Sequence, residues 1–156
     1  MYLTLKLLHL AAVVLFLGNI VTGVFWKAHA DRTGDPRLIA HAMEGLIRSD
    51  RLFTIPGVIL IVVFGLGAAA AGRLPVLGTG WILWSIVLFT ISGVAFMARV
   101  APLQRRMLAV ARAGQGAEVF DRARYGALSR QWGFWGGLAL LTPLAAMALM
   151  VLKPAW

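Results

Sequence analysis

Three side chains with chemical potential stand inside the first apolar stretch of the chain, YLTLKLLHLAAVVLFLGNIV: Lys6, His9 and Asn19. An ionisable group inside a membrane-length apolar run is costly and marks a functional position by default. The imidazole of His9 suits a haem ligand, a metal ligand or a proton carrier. Its plainer role is a neutral ring hydrogen-bonded to a neighbouring helix. Lys6 is shallower and can snorkel to the surface as an anchor. His29 and His41 stand among polar residues and read as surface side chains. His9 and His29 would lie ~30 Å apart on a straight helix, too far to share a metal within one chain. The chain has no cysteine, so it forms no disulfide and no thiolate site. It carries no nucleotide loop, G-x-S-x-G elbow or H-E-x-x-H pattern, which argues against phosphoryl transfer and hydrolysis.

The elements that hold these residues are apolar helices. Of 156 residues, 60% are hydrophobic and 13% charged, and mean hydropathy is +0.82. A soluble domain is usually about half apolar and a quarter charged. Four segments have the ~20 residues needed to cross a bilayer. They run about 3–25, 53–71, 81–101 and 132–152. Trp26, Trp81, Trp84, Trp132 and Trp156 stand at or near their ends, as interfacial aromatics do. The first run is too long for the apolar core of a cleaved signal and reads as a permanent helix. The expected fold is all-α: a four-helix transmembrane bundle in one membrane domain, residues 1–156, with amphipathic cytoplasmic connecting helices.

Charge sets the expected orientation. The formal charge is +9, but no nucleic-acid motif surrounds the basic residues. Twelve of the fifteen fall in the first and third connections or at their edges, against Lys6, Arg73 and Lys153 on the other side. That bias predicts both long connections in the cytoplasm, near anionic lipid head groups, and both termini outside. The segment DPRLIAHAMEGLIRS reads as an amphipathic helix on the inner membrane surface, capped by Asp35 and started by Pro36. Leu38, Met43 and Leu46 would be buried, and Arg37, His41 and Glu44 wet, with Glu44 paired to Arg48. The third connection reads as two short basic helices broken at Gly114-Gln115-Gly116. Near Pro56, either Thr54 caps a new helix or one long helix kinks.

Helical periodicity gathers Lys6, His9, Ala12, Val13, Phe16, Asn19, Ile20 and Gly23 on one face of the first span. Ser85, Ser92 and Arg99 recur every seven residues on the third span. Gly133, Gly136 and Gly137 on the fourth, and Gly65 and Ala69 on the second, offer small surfaces for close helix contact.

LKLLHLAAVVLFLGN, ADRTGDP, DRLFTIPGV and PLQRRM together resemble a bacterial family of predicted integral membrane proteins of undefined function. That family is distantly similar to CopD-like and HemJ-like membrane proteins, bundles with a histidine in an early helix. The resemblance implies copper handling, or haem and protoporphyrinogen chemistry, with His9 at the matching position. The first functional expectation is therefore a small polytopic inner-membrane protein of redox type that holds haem b through His9. Met147 and Met150 lie about three to six residues from the outer end of the fourth span, a depth of roughly 5–9 Å that matches His9. Histidine–methionine ligation is an established haem pair; ligation by His9 alone stands beside it. The alternatives are a non-enzymatic subunit or assembly partner packing through glycine faces, including a homo-oligomer, and an oligomeric transporter or channel.

Overall fold

The computed structural model describes residues 1–116 and 120–154; Trp156 lies outside them. The described residues form six α-helices: α1 (Tyr2–Thr33), α2 (Pro36–Ser49), α3 (Ile55–Ala71), α4 (Gly80–Ala95), α5 (Ala101–Gln115) and α6 (Arg122–Leu152). Two π segments, Asp50–Thr54 and Phe96–Val100, join α2 to α3 and α4 to α5 without a break. The molecule is thus four rods, Tyr2–Thr33, Pro36–Ala71, Gly80–Gln115 and Arg122–Leu152, each long and apolar enough to cross a membrane. A rod of 36 residues is ~54 Å long, against a hydrocarbon core of about 30 Å. The bundle therefore extends well past its apolar zone at the end where the basic residues gather, called here the basic end.

Proline explains both π segments. Pro56 and Pro102 each stand two residues beyond one. A proline has no N–H for the carbonyl four residues back, and its ring crowds that carbonyl. Widening the preceding turn relieves the clash and keeps the rod continuous. Ile55 N–H accordingly reaches the carbonyl of Asp50, and Ala101 N–H that of Phe96. Of the two readings near Pro56, the long helix holds; Thr54 makes no side-chain cap.

The connecting helices differ from expectation in their placement. The amphipathic segment is α2, with Asp35 accepting from Arg37 N–H and Pro36 at its start. It is the first half of a rod and packs on α5 and α1. Ile39, Met43 and Leu46 are buried there, while Leu38 is exposed. Its apolar face is satisfied by a neighbouring helix, which removes the reason to lie on lipid. Glu44 bonds Arg112 of α5, at 3.0 and 2.8 Å, instead of Arg48. The two basic helices of the third connection are likewise the ends of α5 and α6, with the break after Gln115.

The main core lies at the basic end, where Ile39 and Met43 of α2, Met107 and Ala111 of α5, and Trp132 of α6 come together. Gly34 ends α1 with φ 65°, a conformation natural to glycine, and Arg122 donates to its carbonyl. Towards the far end, α1 packs on α3 and α4 packs on α6. Phe16 of α1 meets Phe89 of α4 edge-on at 5.6 Å and bridges the two pairs. Both termini reach the far end: Tyr2 lies against Gly72, and Lys153 sits 5.4 Å over Trp81.

Candidate functional site

Buried polar chemistry falls at three levels. At the basic end, Lys27 of α1 is buried, although the sequence places it in a charged connection. It bonds Asp31 one turn on and the hydroxyl of Ser129 at 2.7 Å. Its ammonium lies 5.0 Å over the Trp132 ring. Tyr125 donates to the other Asp31 oxygen at 2.6 Å. Burial first, then this bond and the Asp31 charge, hold the Tyr125 hydroxyl well above its ordinary range, so it remains a donor. The Trp132 Nε1–H is buried with no partner among the described residues.

One level deeper lies a layer that sequence reasoning missed. Asp50, at the first residue of its π segment, is 6% exposed. Thr54 donates to its Oδ1 at 2.7 Å and Asn19 at 3.4 Å. Gln104 of α5 donates to Oδ2 at 2.9 Å. Asn19 also donates to the Thr54 oxygen at 2.9 Å. Asp50 and Asn19 each stand about fourteen residues from the basic tip of their rods, ~21 Å, and Gln104 about eleven from its own, ~17 Å. Three rods thus meet in one polar layer. The available signal was one acid six residues ahead of a proline, in DRLFTIP.

His9 occupies the third level, on the α1–α3 pair. Its Nδ1 lies 2.9 Å from the carbonyl of Ile61; the carbonyl can only accept, so Nδ1 carries the proton. In the neutral ring the lone pair is then on Nε2. The ring packs on Gly65, where an added Cβ would come within 2.9 Å of it. Of the small surface expected at Gly65 and Ala69, Gly65 is thus the seat of the His9 ring.

The remaining sequence candidates separate. Lys6 is exposed. Ser85 donates to the Ala146 carbonyl at 3.1 Å, and Ser92 to that of Ala139 at 2.6 Å. Ser92 has a clear structural task. Pro143 sits inside α6 and cannot supply the N–H that Ala139 would receive four residues on, so Ser92 supplies that donor from α4. Arg99 lies 5.3 Å over the Trp135 ring. Met147 is exposed and Met150 half-buried on α6. Both belong to the α4–α6 pair, whereas His9 belongs to the other. His29 and His41 are exposed, with His29 stacked on Phe25 at 6.3 Å.

The family described as "Predicted integral membrane protein (DUF2269)" matches residues 3–154, nearly the whole chain. The chain belongs to the DUF2269 family. This agrees with four rods long and apolar enough to span, and it makes the DUF2269 chain an integral, multi-pass membrane protein. No curated protein and no solved structure matches it.

Proposed function

We propose that this DUF2269 protein is a small inner-membrane component of redox type that holds haem b on His9, with both termini outside and the basic end in the cytoplasm. The observation that carries the reading is the imidazole itself. A ligating histidine commonly gives its second ring N–H to a backbone carbonyl, which fixes the tautomer and aims the other nitrogen. His9 makes that bond to Ile61 and leaves Nε2 for a ligand. What supports haem is one oriented imidazole and its ring seated on Gly65; Met147 and Met150 stand on the other helix pair, so His9 alone would hold the iron. Bound haem would supply one-electron chemistry. The chain's own part is to hold the His9 ring, exclude water with apolar helices and keep the site towards the far end. The basic bias supports the orientation.

A second reading rests on α6. Nothing lies within 4 Å of a Cβ built at Gly133, Gly136 or Gly137. This glycine face is left open by the chain's own packing and suits a second membrane helix, as a subunit, assembly partner or homo-oligomer would use it.

One experiment separates the two. Protein produced with ample haem should show a Soret band that His9→Ala removes and His29→Ala or His41→Ala leaves nearly intact. A colourless wild type, or a band indifferent to His9, overturns the haem reading and leaves the subunit reading in first place.

A further inference from the structure

Five of the chain's six acidic residues are described, and four of these have charged or helix-terminal partners. Asp31 pairs with Lys27 and Glu44 with Arg112. Asp35 and Asp121 accept from the first turns of α2 and α6. Asp50 alone among them is buried and meets only neutral donors. The charges on the surrounding elements face elsewhere. Lys27 of α1 is held by Asp31 and Ser129, and α3 has no charged residue. Arg48, Arg51, Arg105 and Arg106 are exposed, as is Arg130 of α6, and Arg99 lies on Trp135.

We propose that Asp50 is a proton-binding site within the bundle, and that the Gln104 amide turns over when the proton binds. A buried carboxylate without a counter-ion is costly in its charged form. The three neutral donors solvate the anion when the proton is off. When a proton adds to Oδ2, that oxygen becomes an O–H donor and can no longer face the Gln104 N–H₂. An amide carries a donor at one end and an acceptor at the other. Rotating it by half a turn presents Oε1 to the new O–H and keeps the contact. Thr54 and Asn19 continue to donate to Oδ1. The exchange is one proton on and one proton off, with no other reactant. Its place matters: Gln104 stands on the rod Gly80–Gln115, Asn19 on α1, and Asp50 in a π segment, a common location of functional sites.

The test is infrared spectroscopy of the full chain in lipid vesicles, with aspartate labelled at its carboxyl carbon, titrated between about pH 5 and 9. A protonated-carboxyl band should grow as pH falls, vanish in Asp50→Asn and persist in Asp35→Asn. Thr54→Val removes a donor to the ionised form, and the midpoint should rise by about one pH unit. If Asp50→Asn fails to fold, the labelled wild type and Thr54→Val still decide. The proposal is overturned if no protonated band forms across the range, or if sodium at fixed pH abolishes it, which would make the occupant a metal cation. Neither readout involves haem, so it stands or falls apart from the His9 proposal.

Discussion

The two ends of the bundle are held by different forces. At the basic end α2, α5 and α6 share one core, and polar side chains bond across helices: Lys27 to Asp31 and Ser129, Tyr125 to Asp31. At the far end the helices associate as two pairs, and Leu3, Leu7 and Val14 are exposed. Water explains the contrast. Helices standing clear of the bilayer must bury apolar surface against each other. Within lipid that drive is absent, and association relies on close packing and hydrogen bonds between helices. The far half accordingly uses glycine seats and serine-to-carbonyl bonds.

The comparison can be broken by substitution, and the largest effect belongs to the basic end. Lys27→Ala removes a buried ammonium, leaves the half-buried Asp31 with Tyr125 but without its cation, and empties the space over the Trp132 ring. Breaking a buried pair from one side costs about 3–5 kcal/mol, so unfolding in mild detergent should shift strongly. Retention of wild-type stability would mean that the pair is hydrated. Met43→Ala, at 0% exposure, should cost about 2–4 kcal/mol through a cavity, whereas Leu7→Ala on the lipid face should barely register in the same assay. Equal losses at both positions would remove the distinction between the ends. The smallest effect is expected in the far half: Ser92→Ala should cost about 1–2 kcal/mol by stripping the Ala139 carbonyl of its donor. Pro143→Ala made on that background should restore most of it, because the helix then supplies its own N–H.

Much of this architecture could be read from hydropathy. Four spans, their alternation, the cap at Asp35 and the inward arc of α1 from His9 onward follow from local pattern; Lys6, at the start of that arc, is exposed. The continuity of the rods did not, because an amphipathic stretch looks the same whether lipid or a neighbouring helix covers it. Only the pairing of α2 with α5 decides. His9 stood out because it interrupts an apolar run. Asp50 and Lys27 did not, because each sits at the margin of a basic connection, where a charge reads as solvated. Their burial arises from the rods extending beyond the apolar zone. The Ser92 stripe was visible, but its purpose depends on Pro143 some fifty residues later, and no periodicity links a serine on one helix to a proline on another.

The Ser92–Ala139 bond also bears on how the chain is made. A lone α6 entering lipid would carry a carbonyl bared by Pro143, and an unsatisfied backbone group in hydrocarbon costs several kcal/mol. The remedy lies on α4, which leaves the ribosome earlier. Biosynthesis from N- to C-terminus therefore has the donor waiting in the bilayer before its acceptor arrives, and α6 settles by docking on α4 as a template.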